Sequence, residues 1–172
     1  MFKRILFPLA LVCVAAASAS PAQGVSPTAE VIPIDFSFTP PILSATCGFP
    51  VTRHVAGTLT IRTFYDAQGS FIRELDQYHL IDTVSANGQT LVGRTTQNIS
   101  VTLLVDGSFT VAVAGTDFLL PVSGAGISFG SVGRLLLLFA ADNTLIDVLQ
   151  DVGNVESDFA AVCEALTPSQ AA

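Results

Sequence analysis

The 172-residue sequence predicts an all-β protein, an antiparallel meander closing into an up-and-down β-barrel of about seven or eight strands with a short C-terminal helix. Three observations carry this. Apolar residues alternate with polar ones in run after run, the period of a strand with one buried face. Short Gly-, Asn- and Asp-bearing turns separate the runs. The connections are mostly too short for the crossovers of a β-sandwich, which is the alternative architecture. A barrel is preferred because closure removes exposed edges.

The elements follow in order. Val31 to Phe38 alternates Ile32, Ile34, Phe36 and Phe38 with polar or proline positions, and Pro33 marks an edge or bent strand. Thr39-Pro40-Pro41 ends it. Val51 to Tyr65 is the next strand, bent at Gly57, and Asp66-Ala67-Gln68-Gly69 turns it into Phe71 to Val84. A loop Ala67-Gln68-Gly69 sets Tyr65 opposite Phe71 and Ile61 opposite Leu75. Asn87-Gly88 is a strong hairpin signal, leading into Leu91 to Val105. After Asp106-Gly107, a bulged three-residue loop pairs Leu103 with Phe109 and keeps the apolar face whole. Phe118 to Val122 and Ile127 to Ala140 continue the sheet, and Ala141-Asp142-Asn143 turns into Thr144 to Leu149. Ser157 is the expected N-cap of a helix whose Phe159, Val162, Cys163 and Leu166 share one face.

The N-terminus predicts export. Lys3-Arg4 precedes an apolar run, Ile5 to Ala17, shorter than the ~20 residues of a membrane helix. Residues 1–19 read as a signal peptide, cleaved after Ala19 or Ala22. Val12 before Cys13 is unlike a lipidation site, so Cys13 should leave with the leader. Residues 20–30 read as a disordered tail, 31–168 as one β domain and 169–172 as a disordered end. The expected location is extracellular, with no transmembrane anchor.

Cleavage removes Lys3, the only lysine, and Arg4. Five arginines then face fourteen carboxylates, a net charge of −9. Such a chain lacks the basic patch that nucleic acids or anionic membranes require. Cys47 and Cys163 remain, and an even count in an oxidising compartment predicts one structural disulfide. Two separate buried thiols are the alternative. No short ligand pair predicts a metal site, and no cofactor motif is present.

Candidate chemistry is sparse. Gly126-Ile127-Ser128-Phe129-Gly130 matches the nucleophile-elbow pattern, but a strand follows it and both histidines, His54 and His79, precede Ser128. No catalytic set is therefore assigned. Alternation puts Glu74, Asp76, Tyr78 and Asp82 on one face of their strand and His79 on the other. Glu74, Tyr78 and His79 are the candidate cavity-lining polar residues, since either set could face a barrel interior. The sequon Asn98-Ile99-Ser100 is discounted because the composition looks bacterial. Ten phenylalanines spread over the mature chain suit core filling, and the lack of tryptophan disfavours a sugar platform.

Cys47-Gly48-Phe49-Pro50-Val51, Phe64-Tyr65-Asp66-Ala67-Gln68-Gly69 and Asp158-Phe159-Ala160-Ala161-Val162-Cys163 resemble segments of a group of uncharacterised small secreted actinobacterial proteins. That resemblance implies compartment and topology, not activity. The meander is also loosely similar to lipocalin and allene-oxide-cyclase barrels, as fold analogy alone. The leading expectation is a non-enzymatic barrel binding a small apolar ligand or envelope component. A cell-envelope interaction module and an isomerase- or cyclase-type barrel enzyme follow in that order.

Overall fold

The computed structural model describes residues 26–122, 124 and 126–168. The expected signal peptide, most of the expected tail and the end at 169–172 lie outside them. The element order is β1 (Thr28–Phe38), α1 (Pro41–Cys47), β2 (Thr52–Tyr65), β3 (Phe71–Ala86), β4 (Gln89–Leu103), β5 (Phe109–Val122), β6 (Gly126–Phe139), β7 (Leu145–Ser157) and α2 (Phe159–Ala165). The seven strands form a single antiparallel meander in sequence order. β1 opens at Thr28, three residues before the alternation that predicts it.

The sheet is not closed among the described residues: β1 and β7 are its two edges. An odd number of antiparallel strands leaves β1 and β7 running in the same direction. No antiparallel ladder can therefore join them, and a parallel one is slightly weaker per residue. A single sheet also replaces the alternative of two packed sheets.

Local chemistry explains the hairpins. Ala86 pairs with Gln89 across Asn87 and Gly88, both at positive φ, as a two-residue primed turn demands. The other three described hairpins are three-residue loops closed the same way. Asp66 N–H donates to Ser70 O, Leu104 N–H to Ser108 O and Ala140 N–H to Thr144 O. Each loop ends on a left-handed residue, Gly69, Gly107 or Asn143. Aspartates rigidify them: Asp66 accepts from the Ser70 amide, Asp106 from Ser108 and Asp142 from Thr144. These bonds hold the Asp106 and Asp142 carboxyls below their ordinary value. The expected pairing of Leu103 with Phe109 is present, as is Tyr65 with Phe71.

One pairing differs. β3 carries a bulge just after its first pair: Tyr65 faces Phe71, but Phe64 faces Arg73, so Ile72 is the extra residue. Ile61 then faces Asp76 rather than Leu75. A one-residue slip moves every later side chain to the opposite face. Thr63, Ile61, Leu59 and Val55 thus share a face with Glu74, Asp76, Tyr78 and Asp82.

That face, the inner face, carries both helices at one end of the sheet. Val51, Val84, Phe118, Leu120 and Val122 pack there against Leu43 of α1 and Val162 and Leu166 of α2. Val51, Val84, Leu120 and Leu166 are fully buried, worth about 1.5–3 kcal/mol per side chain. The sequence reading assigns no helix to α1. Its Pro41 sits in the first turn, where a missing N–H costs nothing, and Gly48 caps it in the left-handed conformation. Asp158, not Ser157, caps α2, accepting from the Ala161 amide, because Ser157 still belongs to β7. The predicted apolar face of α2 is the one that packs.

Toward the hairpins at residues 66–70, 104–108 and 140–144 the inner face has no covering layer among the described residues. Ile61, Ile99, Val101, Val111, Val113, Leu135 and Leu137 are only half-buried there. The strands bend where side chains vanish: Gly115 faces Gly133, and Gly133 faces Gly153. A Cβ on Gly115 would lie 2.2 Å from Thr96 O, and one on Gly133 2.4 Å from Val152 O.

Cys47 and Cys163 form the expected disulfide, with Cα atoms 5.1 Å apart. It joins α1 to α2 and closes a loop spanning 116 positions. In the chain-entropy account such a loop contributes about 4–5 kcal/mol. Replacing both cysteines by serine should lower the unfolding free energy by about that amount, read from urea denaturation of oxidised and variant protein. A loss below ~1 kcal/mol would show that the helices hold without the bond. Gly115→Ala should be destabilising as well, since the clash is with backbone and φ is +124°.

Candidate functional site

Of the three polar residues singled out from sequence, two come together. Glu74 and Tyr78 lie on the inner face with Asp76 between them, and Tyr78 faces Leu59 on one side and Gln97 on the other. The Ile72 bulge brings these acids among apolar neighbours. Burial pushes the Asp76 carboxyl above its ordinary 3.8, and the adjacent Glu74 carboxylate adds to the effect. Asp76 Oδ1 is shielded from solvent and has no hydrogen-bond partner among the described residues. Burial likewise raises the Tyr78 hydroxyl above 10.0, with Asp76 as the second cause.

His79 departs from the expectation. It sits on the outer face, exposed, between Thr58 and Thr96, in an open depression shared with Ala56, Ile81 and Arg94. Period two separates it from Tyr78 by the thickness of the sheet. Glu74, Tyr78 and His79 therefore form no common site. His54 is also an outer-face residue, its Nε2 2.8 Å from Asp35 Oδ1 of the neighbouring edge strand. Ser128 lies within β6, with strand on both sides rather than a turn into a helix.

The most enclosed polar group is elsewhere. Asp82 is fully buried on the inner face, next to the helices. Its Oδ1 accepts from Arg53 Nε at 2.9 Å and Arg53 Nη2 at 2.6 Å. Its Oδ2 accepts from the Thr95 hydroxyl at 3.0 Å, and Thr95 Oγ1 in turn accepts from the Phe118 amide at 2.9 Å. That amide needs a side-chain partner because the β4–β5 ladder breaks there. Arg94 pairs with Leu119 and Thr96 with Thr116, leaving Phe118 in a bulge at φ +47°. The strained backbone swings the Phe118 ring inward, where the Arg53 guanidinium lies 3.9 Å from its centroid. Phe38 flanks the same guanidinium at 5.7 Å.

This network forms one wall of an apolar pocket of about 160 Å³. Arg53, Phe118 and Leu120 supply the sheet side. Pro40, Ile42 and Leu43 close it from α1, and Phe159 and Val162 from α2. The disulfide holds the two helical walls together. A second, more open groove of about 230 Å³ follows the glycine row, between Gln97, Val113, Leu135, Asp151 and Val155.

Arg53, Asp82 and Thr95 were not singled out from sequence. A signal existed: Arg53 alternates in phase with Val55, Leu59 and Ile61, and Asp82 lies on the matching face of the next strand. Opposite charges at apolar-phase positions of neighbouring strands point to an internal ion pair. Among the described residues, no cluster of three or more His, Cys, Asp or Glu side chains could hold a metal ion, and no helix is long and apolar enough to cross a membrane. No family model, curated protein or solved structure matches this chain.

Two consequences are measurable. Asp76 has a raised folded-state pKa, so its contribution is fully present below the unfolded value and is lost as pH rises through the folded one. The difference in urea midpoint between the wild type and Asp76→Asn should change as pH rises above 3.8, with the wild type losing ground. Arg53→Met should cost ~3–5 kcal/mol, because it leaves the buried Asp82 carboxylate unpaired. Arg53→Met paired with Asp82→Asn should recover part of that loss in the same assay.

Proposed function

We propose that this chain is a secreted, non-enzymatic binding protein that holds a small apolar molecule on the inner face of its bent sheet, under the two disulfide-joined helices. The observation that carries the reading is the 160 Å³ pocket, apolar on every side except for Arg53. A cavity of about 150 Å³ lined by aliphatic and aromatic side chains is large enough for a benzene-sized molecule. The walls come from both helices and from the sheet, so the covalently tied end of the fold is the pre-formed one. In this proposal the chain belongs with the small secreted actinobacterial proteins that its Cys47–Val51 and Asp158–Cys163 segments resemble.

The reading is tested by NMR titration of the oxidised mature protein with cumene, following the Leu43 and Val162 methyl signals. Saturable shifts at both are expected, and Ile42→Trp, which fills the pocket mouth from an exposed position, should abolish them. Methyl signals that stay fixed to the solubility limit of cumene would refute it.

A specific observation favours a second reading, a cell-envelope interaction module. The edge strand β7 exposes Ile146, Leu149, Val152 and Val155, and the opposite edge exposes Val31. Exposed apolar side chains gathered on an edge strand are the kind of surface that marks interaction sites. The net charge of −9 after cleavage at Ala19 or Ala22 argues for an uncharged surface as the target. On this reading the protein co-sediments with phosphatidylcholine vesicles or isolated cell wall, and Val152→Asp with Val155→Asp releases it.

A further inference from the structure

We infer that the pocket beneath the helices selects a neutral molecule bearing one carbonyl oxygen, such as a small ketone or ester, and that Arg53 is the donor that reads it. The inference rests on the binding reading above and goes one step beyond it, to ligand class.

Volume limits the apolar part. About 160 Å³ admits one six-membered ring or its aliphatic equivalent with little to spare. Pro40, Leu43, Leu120, Phe159 and Val162 offer that part only carbon surface from their side chains.

The polar part follows from hydrogen-bond accounting. Arg53 is the only ionisable side chain in the wall. Its Nε and Nη2 are engaged by a single oxygen, Asp82 Oδ1. Nη1 has no acceptor among the described residues, although the Arg53 side chain is only 25% exposed. A guanidinium carries five donors and no acceptor, so the pocket offers hydrogen-bond donation and nothing for a ligand N–H or O–H to donate to at that wall. The complementary group is an acceptor.

Charge then decides between a carboxylate and a neutral carbonyl. Asp82 already neutralises Arg53 at 2.6 Å. A bound carboxylate would therefore be a second anion beside one cation, partly withdrawn from water, on a protein whose mature charge is −9. A ketone or ester oxygen takes the free donor and adds no charge. A pure hydrocarbon fits the cavity but leaves that donor to water at the mouth. Phe118 and Phe38 around the guanidinium fix its plane, so the donor is held in place before any ligand arrives.

Three probes of equal heavy-atom count separate these cases: acetophenone, cumene and benzoate. Each is titrated into the oxidised mature protein while the Leu43 and Val162 methyl signals are followed. Acetophenone should bind about tenfold tighter than cumene, the effect of a hydrogen bond to a charged donor, and benzoate should be the weakest. Arg53→Lys keeps a cation for Asp82 but not the planar fork. It should abolish the preference, so that acetophenone and cumene bind with equal affinity. Ile42→Trp should block all three. Equal binding of acetophenone and cumene, with the Ile42→Trp block intact, overturns the carbonyl assignment and leaves the apolar-binding reading standing. Tightest binding by benzoate overturns it in favour of an anion site. No binding of any probe overturns both. Should Arg53→Lys fail to fold, the order of the three probes on the wild type still decides.

Discussion

Ile72 is an aliphatic residue with no partner across the ladder, and the interior of this protein is organised around that extra residue. Without it, β3 would present Leu75, Gln77 and Ile81 to the inner face, and Asp82 would turn to the outer one. With it, Asp76, Tyr78 and Asp82 turn inward. Period two makes the choice binary for the whole strand. The bulge stays because turning back would expose Leu80 and Val84, and Val84 is fully buried under the helices. The cost is carboxylates on an apolar face, and the two ends of β3 handle it differently.

At the helical end the cost is met by pairing. Asp82 uses both oxygens, Arg53 and Thr95 supply the donors, and Thr95 also satisfies the amide of the Phe118 bulge. Every member of this chain of contacts depends on the next, so the network specifies the β2–β3–β4–β5 arrangement more narrowly than packing alone. At the hairpin end Asp76 Oδ1 has no such donor among the described residues, and burial holds its carboxyl above the ordinary value instead. The sheet is thus built as two halves. One is layered, with a closed polar network. The other is a single layer whose inner side is apolar and half-buried.

Much of this was legible in the sequence. The strands as far as Leu149, the Asn87-Gly88 turn, the three-residue loop before Phe109, the disulfide pair and the packed face of α2 follow from the sequence, whereas the continuation of β7 to Ser157 does not. The register of β3 did not follow, since a bulge one residue past a turn leaves no mark in the alternation of either half. Closure did not follow either. It depends on the parity of the strand count and on the glycine bends, which are properties of the whole sheet. α1 was hidden in a seven-residue stretch opened by two prolines, too short for a helical period to show. Of the candidate site, Glu74 and Tyr78 were placed on one face correctly. Arg53 carries no local mark of burial, because its burial comes from a partner on another strand. Signals of tertiary origin such as these become readable only once the pairing is known.

The bridge between Cys47 and Cys163 has a topological side. Everything from Cys47 through β2 to β7 and on to Cys163 in α2 lies on one covalent ring, while β1 and the rest of α1 lie outside it. A cut in any one hairpin of that ring yields two chains joined by the disulfide, of unchanged total mass apart from the water added. Proteolytic nicking at residues 67–69, 105–107 or 141–143 would therefore release no fragment until a reductant acted.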